Sequence, residues 1–388
     1  MTQISNVSSL QTMQRYTDFA AVRTLPPSTE KAVPSTIISL SSKGLEAAAQ
    51  AESDAALRQI STSSRFRNAG INTLEKFGTG ALDSTSQVAL PGHLDNEFTL
   101  SITLGGGKAV SLTIANAGED MFIQVGSAAE LSPDERSAIA NLGQAFQSAI
   151  DGLTQNVPQV RLAELTRLDT AFIQSIDLHA KTTLETVPPA TQSLDFHIDS
   201  RQRRVSVEGP SGKIDVGVDT SRLQGLGTNQ QQAKAIDNYL KTFDQAATRG
   251  HGDRQLMTMF KDAFVDMSLV ARTDDSIDSG TRVIVPWKPS REDKAVLTGL
   301  PDFSTSVTQA ARWSNPLRQD EVDGFKYEAS QDTHLAGESF ANRSITQSQR
   351  SSLSAQFHSE PDNSRKLKLN IAPGELMTVP RFHVQQEI

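Results

Sequence analysis

Apolar and polar residues alternate in three consecutive runs in the middle of the chain. Leu194, Phe196 and Ile198 are separated by Asp195, His197 and Asp199; Val205 and Val207 continue the pattern, and Ile214, Val216 and Val218 repeat it after a Gly209-Pro210-Ser211-Gly212 turn. A period of two puts one set of side chains in a core and the other in water, so these runs predict three half-buried strands. Beyond Gly225-Leu226-Gly227 the period lengthens. Ile236, Leu240, Phe243 and Ala247 recur in steps of four, three and four, which predicts a helix capped by Thr228 or Asn229 and stopped at Gly250. Leu256, Phe260, Ala263, Phe264 and Met267 predict a second amphipathic helix.

A similar order is found upstream. Phe98, Leu100, Ile102 and Leu104 alternate, followed by Val110, Leu112 and Ile114 after Gly105-Gly106-Gly107, and by Met121, Ile123 and Val125 after Asn116-Ala117-Gly118. Ser132-Pro133-Asp134-Glu135 reads as a capping box with proline at the first helical position. The stripe Ile139, Leu142, Phe146, Ala149, Ile150 and Leu153 predicts one helix, and Leu162, Leu165, Leu168, Phe172 and Ile176 a second. The expected fold is therefore α+β, with tandem βββαα units over 91–186 and 187–273, each an antiparallel sheet with helices packed on one face. Two unrelated sheet-plus-helix units lying side by side would give the same pattern.

The flanks differ in texture. Residues 1–43, rich in Ser, Thr and Gln, bury too little apolar area to offset the entropy of ordering, and predict a flexible leader. Residues 44–90 predict a helical leader, with one alanine-rich helix over 44–60 and another over 66–77, both packing on the first sheet. Val187-Pro188-Pro189-Ala190 reads as a stiff connector between the units, and a boundary is expected near 273. Residues 274–388 are polar and partly β. Phe325, Tyr327 and Ala329 alternate, as do Leu367, Leu369 and Ile371; 379–384 reads as a terminal strand, and 347–352 is low in complexity, so long loops are expected.

Composition narrows the functional classes. The 388 residues carry a formal net charge of -8 and no cysteine, with mean hydropathy -0.36. The acidic balance argues against a nucleic-acid or anionic-membrane binder, and Arg201, Arg203 and Arg204, the densest basic group, read as a solvated rim. Without cysteine there is no disulfide framework and no thiolate-held metal, which fits a bacterial cytoplasmic chain or one that travels unfolded. No stretch reaches the length of a membrane span.

Ile4, the abundant serine and the delay of the first acidic residue to Asp18 give an N-terminus that resembles those of type III-secreted bacterial proteins. Ile38-Ser39-Leu40-Ser41-Ser42-Lys43-Gly44-Leu45 is similar to Leu-Ser-Ser tracts of flagellum-linked and other exported proteins. The stretch from Leu131 to Leu153 resembles an uncharacterised domain of proteobacterial proteins, a likeness that implies no activity.

Candidate chemistry is sparse. Asp195, His197 and Asp199 project from one face of a strand with about 7 Å between successive side chains, and could offer oxygens and an imidazole to a metal; a solvated strand face is the competing reading. His251 between the helices is either an acid-base residue or a helix-end partner of the dipole, and His334 with Glu338 reads as a hydrated loop. Gly105-Gly106-Gly107-Lys108 lacks phosphate-loop spacing, and no dinucleotide fingerprint or serine elbow is present, so no cofactor is expected. The reading is a non-enzymatic protein acting through a protein partner, in the cytoplasm or on a type III export route. The alternatives are an enzyme without a recognisable motif, foremost a metal-assisted hydrolase at Asp195, His197 and Asp199, and a small-ligand module with an apolar cleft between the units.

Overall fold

The computed structural model describes residues 42–82, 89–127, 130–167, 171–186, 188–270, 285–313, 321–359 and 381–387. The chain divides into two compact units, Met1–Glu46 and Ala47–Ile388, and the first contributes only the beginning of one helix to the described residues. Residues 1–41 of the leader expected over 1–43, the boundary at 273 and the alternation at Leu367, Leu369 and Ile371 lie outside those residues. Among the described residues, no helix is long and apolar enough to cross a membrane.

Two helices open the described chain, α1 (Ser42–Arg65) and α2 (Ala69–Gly78). A meander follows: β1 (Asn96–Leu104), β2 (Ala109–Ala117) and β3 (Asp120–Ser127). Gly106 and Gly107 take φ of 75° and 78° in the first turn, a region that L side chains avoid, so the glycine run serves a hairpin. The capping box forms as expected: Ser132 accepts from the Glu135 amide, and Pro133 opens α3 (Pro133–Ala140). The single helix expected over this stretch is broken at Asn141-Leu142, and α4 (Gly143–Leu153) carries the rest of the apolar stripe. Gly143 lies where a Cβ would stand 3.3 Å from the Cα of Ile71, so the break coincides with a close crossing of α2. Buried Gln147 fastens that crossing, accepting from the Gly70 amide at 2.8 Å and donating to the Phe66 carbonyl at 3.0 Å.

The second helix expected over Leu162–Ile176 is not there. Residues 163–166 form a turn, and Ile173 already belongs to β4 (Ile173–Leu184). The reason is a bulge: Thr103 of β1 faces Ser175 while Leu104 faces Ile173, so Gln174 has no partner and Ile173 and Ile176 both point inward. Phe172 also packs on the core, so its step of four to Ile176, which reads as helical, runs across this bulge. β4 pairs next with β5 (Ala190–Asp199), from Ser175 opposite Asp199 to Leu184 opposite Ala190. The proline-rich stretch expected to separate two units is thus a hairpin connection within one sheet.

β6 (Gln202–Gly209) and β7 (Gly212–Asp219) complete the second meander, and α5 (Asn229–Gly250) and α6 (Arg254–Ser268) follow as expected, with Thr228 and Asp253 as the side-chain caps. Gly250 is not the stop. It is the last helical residue, where a Cβ would meet the Phe325 ring at 2.7 Å, and His251 takes the left-handed conformation (φ 53°) that ends the helix. A short α7 (Arg291–Ala295) precedes β8 (Asp302–Gln309), β9 (Arg312–Trp313), β10 (Val322–Ala336), β11 (Ser344–Ser359) and β12 (Arg381–Glu387). Where long loops and a low-complexity tract were expected, two of the longest strands run.

All strands pair antiparallel in one twelve-stranded sheet, ordered β12-β11-β10-β8-β7-β6-β5-β4-β1-β2-β3, with β9 attached to β10 beside this path. The succession βββαα occurs twice, but its threading differs. After α3 and α4 the chain returns to the first strand of its meander, since β4 pairs with β1; after α5 and α6 it continues from the last, since β8 pairs with β7.

One hydrophobic cluster collects the apolar positions of both halves. Phe98 and Leu100 of β1, Leu178 of β4, Phe196 of β5, Val205 of β6, Val216 of β7, Val307 of β8, Tyr327 of β10 and Leu353 of β11 join Phe77, Phe146, Phe243, Phe260 and Phe264 from the helices. Each large side chain so buried contributes roughly 1.5–3 kcal/mol relative to exposure.

Candidate functional site on the polar side of the sheet

The residues between those apolar positions form the other side of the sheet, and strand register sets who meets whom. Asp177 and His179 of β4 stand opposite His197 and Asp195 of β5, so acid and imidazole alternate in both directions. His197 Nδ1 lies 2.6 Å from Asp177 Oδ1, and His179 Nδ1 lies 2.6 Å from Asp195 Oδ1. Asp199 approaches His197 Nε2 at 3.4 Å and also accepts from the backbone amides of Arg201 and Gln202. Asp195 and His179 are more than half exposed, whereas His197 is mostly covered.

These contacts set the charges. Partial burial disfavours the protonated His197, but its hydrogen bonds to Asp177 and Asp199 and their charges outweigh that, and the imidazole is held above its ordinary pKa. Burial likewise opposes the charge on Asp199, yet the Arg201 and Gln202 amides and His197 hold its carboxyl below the usual range.

The three residues singled out in the sequence are therefore neighbours that do not converge. Asp195 belongs to one His–Asp pair, and His197 with Asp199 to another; among the described residues no group of three or more His, Asp or Glu is arranged to hold a metal. Chemically, each pair orients an imidazole through Nδ1, as in acid-base catalysis. Flanking hydroxyls by register are Thr99, opposite His179, Ser101, opposite Asp177, and Ser206, opposite Asp195. Thr99 is already hydrogen-bonded to Thr113 at 2.9 Å.

The checkerboard sits within a wider polar field. One row across the sheet reads Ser101, Asp177, His197, Arg204, Gly217, Ser304, Ser330; the next reads Thr99, His179, Asp195, Ser206, Asp215, Ser306, Glu328. At one end the surface sinks into a depression of about 1110 Å³ lined by Asp199, Arg204, Asp219, Asp302, Ser304 and Asp332 among others. Burial pushes the Asp302 carboxyl up, opposed by hydrogen bonds from Thr333.

The arginine group splits by parity. Arg201 and Arg204 are exposed, but Arg203 points inward and is buried, donating to the carbonyls of Met267 (3.2 Å), Leu269 (2.6 Å) and Thr166 (3.3 Å). Burial pushes its pKa down to about 10. It is a clamp on the end of α6 and not part of a solvated rim.

A second histidine site was not signalled by the sequence. His358 on β11 places Nδ1 2.6 Å from Asp323 Oδ1 and Nε2 3.2 Å from Glu321 Oε2. The residues are brought together by the β10–β11 ladder, and no local spacing announces them. His251 stacks on Phe357 at 3.9 Å, which fits a helix-end role; His334 lies in β10, and Glu338 follows its end. No protein-family model, curated protein or solved structure matches the chain.

Proposed function

We propose that the chain acts without catalysis, as a protein-contact platform whose helices cover one side of the sheet and whose polar side receives a basic polypeptide. The observation carrying this reading is the ordered field of side chains around Asp177, His179, Asp195 and His197, which continues across neighbouring strands instead of closing into a cleft. Acidic groups there, among them Glu97, Asp177, Asp195, Asp199, Glu208, Asp215 and Glu328, outnumber Lys181, Arg204, Lys213, Lys326 and Arg350. An exposed field of net negative charge attracts Lys- and Arg-bearing segments and sets association rate more than final affinity.

Titration with a fluorescent oligolysine, and with oligoglutamate as control, tests it. Oligolysine is expected to bind and to weaken as salt rises. The double variant Asp177→Lys, Asp195→Lys should lose at least about tenfold in affinity. Equal binding of both peptides, or no change in the variant, would end the proposal.

The leader supports an export route of type III kind. Secretion of the full chain compared with a form lacking residues 2–43 decides that part, since equal cellular retention of both removes it. The metal-assisted alternative rests on His197 lying between Asp177 and Asp199. Zinc titration of wild type against His197→Ala, if indistinguishable, dismisses it.

A further inference from the structure

The sheet ends in two strands of different character. β12 carries Arg381, His383 and Glu387, and Glu387 pairs with Arg249 at 3.1 Å. β3 at the other end begins with Asp120 and then runs Met121-Phe122-Ile123-Gln124-Val125-Gly126-Ser127, with no lysine, no proline and no register shift against β2. Its outer edge has no strand partner among the described residues. Met121 is 37% exposed and Phe122 and Ile123 are half-buried. Edge strands normally carry a lysine, a proline or a bulge that prevents pairing with another chain, and β3 has none of these.

We propose that this edge binds a second copy of the same chain, β3 against β3 antiparallel about a two-fold axis through Ile123. In an antiparallel pair, directly opposed residues share a face, so the axis must pass through a residue and not between two. Centring on Ile123 sets Met121 against Val125 on the core side and Phe122 against Gln124 on the polar side. Asp120 and Glu119 then fall opposite Gly126 and residue 127, and the acids of the two copies stay at opposite ends. Centring on Gln124 would keep Ile123 against Val125, but it would put Phe122 against Gly126 and Met121 against residue 127 and leave the glutamine on the axis. Centring on Phe122 would set Glu119 against Val125. Like-with-like apolar pairing and separation of the acids select the Ile123 register, and self-pairing is the isologous contact that closes as a dimer.

One strand pair with its flanking side chains lies at the small end of protein interfaces, so the dimer is expected to depend on concentration in the micromolar range, on the order of 1–100 µM. Sedimentation of the full chain should show a mass rising from 42.0 kDa toward twice that value. Gln124→Lys, on the polar side, should raise the dissociation constant at least about tenfold while leaving the circular dichroism unchanged. Because the chain has no cysteine, single-cysteine variants report the register directly. Under mild oxidation Ile123→Cys, on the axis, should form the covalent dimer, and Met121→Cys, whose copies are held apart, should not. A monomer at high concentration, a dimer indifferent to Gln124→Lys, or cross-linking favoured at position 121 over 123 would each overturn the proposal.

Discussion

Arg203 shows how much one side chain decides in this molecule. Its guanidinium donates to three carbonyls, those of Met267 and Leu269 at the end of α6 and of Thr166 in the 163–166 turn, and its charge is tolerated in the core because those dipoles surround it. Replacing it with alanine orphans the carbonyls and opens a cavity, a loss of about 2–4 kcal/mol in urea denaturation. Lysine, with a compact ammonium in place of the planar fork, should recover only part of that. Equal stability of all three forms would show that water replaces the guanidinium without cost. The sequence alone groups Arg203 with Arg201 and Arg204. Only the parity of β6, with Val205 and Val207 inward, separates it from them.

At the scale of elements, legibility followed hydrophobic contrast. β5, β6, β7, α5 and α6 were readable because apolar residues mark one face and polar residues the other, and because Thr228 was one of two recognisable caps for α5. β4 was obscured because Phe172, packed on the core just before the bulge, stands a helix-like four residues from Ile176. β11 was obscured differently: its inward positions near the start include Gln347 and Gln349, so both faces read as polar until Leu353 and Ala355. Gln347 is satisfied by the Thr298 amide at 2.9 Å and the Thr333 hydroxyl at 2.9 Å, a network that no period in the sequence records. The candidate site was half visible for the same reason. One strand of the checkerboard, Asp195 to Asp199, could be read; the partners Asp177 and His179 lie just past the helix expected to end at Ile176, on a strand that was not expected.

The His358 clasp joins the beginning of β10 to the end of β11, and its strength should follow pH. Burial opposes the charged ring, but Asp323 and Glu321 outweigh it and raise the folded-state pKa above the unfolded value of about 6.5. The added stability is fully present below the unfolded pKa and is lost as pH rises through the raised one. Denaturation midpoints of wild type and His358→Gln, measured upward from about pH 6, should therefore converge. A difference that widens with pH would contradict the charged clasp.

For the molecule as a whole, the continuous sheet and the large cluster of buried side chains that spans both halves predict that the expected units do not stand alone. Residues 187–273 in isolation would strip β4 from β5 and β8 from β7, and remove Thr166 from Arg203. Such a fragment should give a coil-like circular dichroism spectrum and collapsed amide dispersion; native-like dispersion would restore the idea of separable units.

The return of β4 to β1 also orders events in time. β5, β6 and β7 are joined by tight turns and can zip up locally, but β1 must wait until β2, β3 and both short helices have been laid down before its neighbour arrives. Closing so long a loop is slow compared with hairpin formation. On the ribosome, then, the N-terminal meander emerges with two bare flanks, one temporary and one permanent, and nascent chains on neighbouring ribosomes could meet through either.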